Sequence, residues 1–162
     1  MQHIQFESKL LDHALFYAEQ GWPVFPCKLD KSPMISSGFK SASTCEKQIR
    51  EWWSRWPDAS IGFALPEDIV VIDVDIDHAN GKFGDISLKK LIEEIGPPPT
   101  TTLVSRTGGG GLHYFFKTNL PLRCKNRLFP GIDLKTKGGY VILPPSMHPS
   151  GERYKWEVPN EN

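Results

Sequence analysis

Apolar and polar positions along the chain change their period several times, and the changes outline an alternation of helices and strands. From Ser8 to Gln20, Leu11, Ala14, Leu15 and Ala18 recur at helical spacing and Gly21 follows, which predicts an amphipathic helix with a glycine stop. Trp22 to Phe25 reads as a short strand. Ser43-Thr44-Cys45-Glu46 has the capping-box pattern and should open a second helix, with Ile49, Trp52, Trp53 and Trp56 at i, i+3, i+4 and i+7 before Pro57. Such a stripe marks a buried helix face; a base-stacking platform is the alternative for the tryptophans. Ser60 to Ala64 and Ile69 to Asp75 read as strands, and Ser87 to Ile95 as a helix with Leu88, Leu91, Ile92 and Ile95 on one face, closed by Gly96 and prolines. Strands are then expected at Thr101 to Arg106, Leu112 to Phe116, Ile132 to Lys135, Tyr140 to Leu143 and Arg153 to Glu157. The order predicts an α+β domain with a mostly antiparallel sheet.

Composition changes this picture in only a few places. A chain of 162 residues supports one domain with a sizeable core, expected over 1–158, and the polar end Pro159-Asn160-Glu161-Asn162 reads as a tail or linker stub of a longer chain. The 19 basic and 19 acidic residues cancel, so no global basic field draws nucleic acid, and any such contact has to come from a local patch. Arg123, Lys125 and Arg127, with Asn126, form one candidate for a DNA backbone; a solvated connection is the alternative. Cys27, Cys45 and Cys124 lie far apart without a CxxC pair, which argues against a zinc ribbon or a disulfide framework and for a reduced, cytoplasmic setting. Met1 to Lys9 lacks the basic and apolar regions of a signal peptide, and no stretch approaches the ~18 apolar residues of a membrane span.

Candidate chemistry begins at Ile69-Val70-Val71-Ile72-Asp73-Val74-Asp75. A strand repeats every two residues, so both carboxylates leave one face roughly 6 to 7 Å apart. The pair suits hard divalent cations, because a buried carboxylate is costly unless paired or metal-bound; a solvated acidic strand end is the alternative. Ser105-Arg106-Thr107-Gly108-Gly109-Gly110-Gly111-Leu112-His113 joins two expected strands. Its four glycines let the backbone approach a ligand and turn N–H groups toward an anion, unless the segment is only a flexible turn. GxxxxGK[ST] is absent and no helix follows, so neither the P-loop nor the dinucleotide fingerprint applies. His113 stands beside this turn, as a site residue or as a structural histidine. Asp133, on a short apolar strand, is a third candidate ligand, with Lys135 two residues on and pointing the same way. Asp77 reads as a turn residue near Asn80-Gly81. His148 reads as shaping a turn, since no second histidine or cysteine lies at metal-ligand spacing.

DxD on a strand, a glycine turn leading into a histidine, then a hydrophobic residue and aspartate on a strand resemble the three motifs of archaeo-eukaryotic primases. Within that superfamily the chain resembles the N-terminal bifunctional primase–polymerase (prim-pol) domain of plasmid, phage and integrated-element replication proteins. The resemblance covers about residues 11 to 156. It includes Ala18-Glu19-Gln20-Gly21-Trp22-Pro23-Val24-Phe25-Pro26, Asp30-Lys31-Ser32-Pro33, Trp52-Trp53 with Pro57, Gly138-Gly139-Tyr140-Val141-Ile142-Leu143-Pro144-Pro145-Ser146 and Gly151-Glu152-Arg153-Tyr154-Lys155-Trp156. It implies a mostly antiparallel sheet flanked by helices around an RRM-like core, and DNA-templated nucleotidyl transfer from dNTP or NTP to a 3′-hydroxyl on a single-stranded template with a primer.

By the same resemblance Asp73, Asp75 and Asp133 would hold Mg²⁺ or Mn²⁺, and no zinc, in a two-metal site with ions roughly 3.5 to 4 Å apart. His113 would hydrogen-bond the nucleotide phosphates. Gly108 to Gly111, with Ser105, Arg106 or Thr107, would grip the triphosphate, aided by Lys135 and by Lys31, which lies in a loop that the family brings near the site. The resemblance also implies an adjoining helical domain or helicase partner. Related end-joining polymerase domains have a lysine inside the glycine turn where this chain has Gly110, so phosphate neutralisation must rest on backbone amides, Arg106, Lys31, Lys135 and metal. Two other classes share these residues: a nucleotide or single-stranded DNA binding module with weak or no catalysis, and a metal-dependent phosphodiesterase.

Overall fold

A computed structural model describes residues 9–157, and in it the sequence periodicities resolve into a layered α+β arrangement. In chain order the elements are α1 (Leu10–Glu19), β1 (Val24–Cys27), α2 (Glu46–Arg55), β2 (Ser60–Ala64), β3 (Ile69–Val74), β4 (Ile76–Asp77), β5 (Lys82–Phe83), α3 (Gly84–Ile95), β6 (Leu103–Arg106), β7 (Leu112–Lys117), β8 (Lys125–Phe129), β9 (Ile132–Lys135), β10 (Tyr140–Leu143) and β11 (Lys155–Trp156). Short 3-10 turns lie at Gly38–Ser41 and His78–Asn80. A six-stranded sheet has the order β11-β6-β7-β3-β9-β8, a three-stranded sheet the order β1-β2-β10, and β4-β5 form a small hairpin. All these strand pairs are antiparallel.

Alternation along β3 decides which side of the large sheet meets the core. Ile69 and Val71 face the layer of α1, α2 and the three-stranded sheet, where Ala14, Tyr17, Ile49, Trp53, Phe63, Phe115 and Leu143 are buried together. Val70 and Val74 face the other way, and α3 packs on β3 and β9. The tryptophan stripe of α2 belongs to the core: Ile49 and Trp53 are buried, and Trp52 and Trp56 pack partly buried against the same cluster. The Trp53 indole N–H donates to the Ala59 carbonyl at 3.0 Å.

Several boundaries move for identifiable reasons. Trp22 is not in a strand; its indole stacks on Phe63 with ring centres 4.4 Å apart, and pairing to β2 starts at Val24. Ser43 does not cap α2. Its backbone is drawn to the sheet edge by two hydrogen bonds with Val24, at 3.0 and 2.9 Å, and Cys45 becomes the cap. The helix α3 starts at Gly84, ahead of the expected Ser87, and its Ile95 is 75% exposed instead of packed. A turn from Pro99 to Thr102 delays β6 to Leu103. The strand β8 has no counterpart in the sequence reading, because an edge strand written Lys-Asn-Arg-Leu-Phe is exposed along most of its length and shows no apolar alternation. Ser8, expected to open α1, and the tail 159–162 lie outside the described residues. No helix among the described residues is long and apolar enough to cross a membrane.

Candidate active site

The centre of the large sheet carries one cross-strand row in which Trp156, Ser105, His113, Asp73 and Asp133 stand directly opposite one another on β11, β6, β7, β3 and β9. Residues opposed in an antiparallel ladder share a face. The face that is apolar at Ile69, Val71 and Phe115 therefore becomes polar within one step along β3 and β7. Asp75 continues the alternation just past β3, its N–H donating to the Gly131 carbonyl at 2.7 Å. With Lys31, Thr107, His113, Lys135, Tyr140, His148 and Tyr154, the acids Asp73 and Asp75 line a cleft of about 410 Å³.

Asp73 is the electrostatic hub. Its Oδ1 lies 3.2 Å from His113 Nε2 and its Oδ2 lies 3.1 Å from Lys135 Nζ. Burial pushes its carboxyl up, but the His113 hydrogen bond and the charges of His113 and Lys135 outweigh burial and hold it well below the usual carboxylate range. Lys135 answers in kind: burial pulls its ammonium down, Asp73 pushes it up, and the net shift is upward. Asp75 is raised, by burial first and then by the negative charge of Asp73, with Asp133 adding to it and Lys82 and Lys31 opposing. Asp133 Oδ1 accepts the Arg127 backbone N–H at 2.7 Å. Two buried side-chain atoms have no hydrogen-bond partner among the described residues, Ser105 Oγ and His113 Nδ1, and both stand in this row. A buried polar atom without a partner costs about 1 to 3 kcal/mol, a cost that tends to persist where a ligand completes the site.

The donor chemistry fits a hard cation, since Asp73, Asp75 and Asp133 offer carboxylate oxygens only. Among the described residues no three His, Cys, Asp or Glu side chains already converge as a metal-holding group. Both Asp73 oxygens are occupied, one by His113 Nε2 and one by Lys135 Nζ, so a divalent ion would take the place of Lys135.

The glycine turn serves fewer donors than its sequence suggests. Gly110 N–H donates to the Thr107 carbonyl at 3.1 Å and Gly111 N–H to Thr107 Oγ1 at 2.9 Å, leaving the amides of Gly108 and Gly109 without a partner among the described residues. Arg106 is turned away from the cleft. One step along β6 from Ser105, it takes the opposite face and pairs through Nε with Glu157 Oε1 at 2.5 Å, which corrects its expected place beside the triphosphate. Lys31 does reach the cleft, from a left-handed backbone position (φ 74°) whose carbonyl accepts the Tyr140 hydroxyl at 2.8 Å.

Lys125 pairs with Leu134, which shares the face of Ile72 and not of Asp73, so its side chain lies away from the cleft. Arg123 and Arg127 are exposed along the same edge, and Cys124 and Asn126 line the cleft instead. Asp77 is a turn residue: its Oδ2 accepts Asn80 Nδ2–H at 2.7 Å. Sequence reasoning passed over Tyr140 and Tyr154 as cleft residues and gave His148 to its turn alone. The only signal for them was their place in the motifs around Gly139 and Gly151, with no chemistry attached.

No curated protein matches the chain. A family model described as Bifunctional DNA primase/polymerase, N-terminal, matches residues 14–162, a span close to the 11 to 156 covered by the motif resemblance. By that match, which takes in far more than half of its length, the chain belongs to the family of N-terminal bifunctional DNA primase/polymerase domains.

Proposed function

We propose that the domain is a DNA-templated nucleotidyltransferase, a primase and/or primer-extending polymerase that transfers a nucleotide from dNTP or NTP to a 3′-hydroxyl. The observation that carries this reading is the single sheet face shared by Asp133, Asp73 and His113, with Asp75, Lys31 and Lys135 around the same cleft. Mg²⁺ or Mn²⁺ held by Asp73, Asp75 and Asp133 would supply Lewis acidity to the attacking hydroxyl and charge neutralisation to the triphosphate. Asp73 remains ionised across the physiological range because its partners outweigh its burial. Lys135, when it leaves Asp73, becomes a cation available to the triphosphate, and Lys31 offers a second. Thr107 and the amides of Gly108 and Gly109 supply neutral donors, which act most strongly where negative charge develops.

Template binding should be weak for the domain alone, because balanced charge leaves few phosphate contacts; a helical domain or helicase in the same or a neighbouring chain would hold the template. Incorporation of labelled dNTPs and NTPs on single-stranded DNA, with and without primer, in Mg²⁺ and in Mn²⁺, tests the reading. Ladder products support it, and products without primer make the domain a self-sufficient primase. Metal-dependent degradation of DNA without nucleotides, in place of synthesis, would replace the reading with a phosphodiesterase.

His113→Ala is expected to raise the KM for dNTP about 10- to 100-fold, the range given by losing one charge-assisted hydrogen bond of about 1.5 to 3 kcal/mol. Template affinity, followed by fluorescence anisotropy, should change far less. Equal losses in both would make His113 a structural residue.

A further inference from the structure

The turn after β10 folds back onto the glycine turn, and His148 is the side chain between them. Its backbone N–H donates to the Glu152 carbonyl at 2.8 Å, and Ser150 Oγ donates to the Gly108 carbonyl at 2.9 Å, which clips the two turns together. A β-carbon on Gly109 would stand 2.9 Å from the imidazole Cε1 and 3.2 Å from Nε2, so the ring lies directly against the glycine backbone. The Ser150 backbone N–H donates to His148 Nδ1 at 3.0 Å. A backbone N–H can only donate, so Nδ1 presents its lone pair to it and to the Ser150 hydroxyl 2.9 Å away, whose proton is shared between Nδ1 and the Gly108 carbonyl, and the ring proton is assigned to Nε2. That nitrogen has no partner among the described residues, and the residue lines the cleft with Lys31, Thr107 and Asp73.

We propose that His148 binds the phosphates of the incoming nucleotide, its Nε2–H joining the free amides of Gly108 and Gly109 and the ammonium of Lys31 as one donor group for the triphosphate. The proposal rests on the nucleotidyl transfer reading. It gives the turn at 148–152 a purpose beyond its own geometry: the turn consumes Nδ1 internally and thereby fixes the donor on the opposite ring nitrogen. Burial, and then the charge of Lys31, lower the tendency of the ring to take a second proton, so the neutral tautomer is the working form.

Calorimetric titration with dTTP in Mg²⁺ of wild type, His148→Asn and His148→Gln tests this. Asparagine puts an acceptor near the Nδ1 position, so it can keep the turn, but it has no donor at the Nε2 position; glutamine has that donor. We expect His148→Asn to bind dTTP about tenfold more weakly with an unchanged thermal unfolding midpoint, and His148→Gln to return to within about threefold of wild type. Wild-type affinity in His148→Asn, or a His148→Gln as weak as His148→Asn, would overturn the proposal. Wild type that does not bind dTTP at all would overturn the nucleotide reading beneath it, and is recognisable because the comparison between variants then never arises.

Discussion

Asp73→Asn and Asp133→Ala are each expected to reduce primer extension about a thousandfold or more. Both remove a carboxylate from the cross-strand row at the centre of the large sheet, and loss of a single preorganised electrostatic contact already costs a hundred- to a thousandfold. The consequences for stability differ. Asp133 is half-buried and its oxygen serves one exposed backbone N–H, so its alanine variant should stay within about 1 kcal/mol of wild type. Asp73 is buried between His113 and Lys135, and truncating one partner of a buried pair costs about 3 to 5 kcal/mol. Lys135 can still reach water, which places Asp73→Ala toward the lower end of that range. Alanine is therefore the clean change at Asp133, and asparagine, which keeps the shape of the side chain, is the informative change at Asp73. Extension assays beside urea unfolding check both statements, and full activity in either variant would remove that aspartate from the ligand set.

The second large effect is expected at Gly131. Three backbone segments meet at Asp75: its N–H donates to the Gly131 carbonyl at 2.7 Å, and its carbonyl accepts the Gly84 N–H at 2.9 Å. Gly131 has φ 76°, and a β-carbon there would strike the Gly84 backbone and approach the Asp75 carbonyl at 2.9 Å. Left-handed strain and overpacking each cost about 1 to 3 kcal/mol, so Gly131→Ala should lose about 2 to 6 kcal/mol and displace Asp75. Gly110→Ala isolates the conformational part, because its φ is 92° but nothing lies within 4 Å of the added carbon; about 1 kcal/mol is expected. Urea midpoints of the two variants separate the effects. Equal losses would mean that the junction at Asp75 can yield.

Helices with wide apolar stripes and strands with strong β-branched runs were legible in the chain, and β2, β3, β7 and β9 fall close to their expected places. Ser43 was not, because a hydrogen-bonded partner more than fifteen residues away competes with a local cap, and local pattern carries no trace of Val24. The DxD strand, His113 and Asp133 were recognisable as separate motifs. Their assembly into one row depends on strand order, which periodicity does not encode. Arg106 went astray for the opposite reason: counting by two from Ser105 and His113 already puts it on the other face, but the motif reading grouped it with its neighbours. His148 was dismissed by metal-ligand spacing, a criterion that does not bear on a neutral hydrogen-bond donor.

The row across β7, β3 and β9 also determines which changes in chain length the domain can absorb. Separation between the acids and the histidine is measured across strands, so the exposed connection at 119–123 can grow or shrink without moving a ligand. Slippage is the vulnerable coordinate. A shift of β9 by one residue would expose its apolar side chains and be rejected by the core, but a shift by two keeps each side chain on its own face while bringing Lys135 opposite Asp73 in place of Asp133. Thr136 guards against that error: fully buried, its hydroxyl donates to the Ile69 carbonyl at 2.8 Å, a bond available in one alignment only. A neutral hydroxyl far from the chemistry thus keeps the charge pattern of the site from inverting.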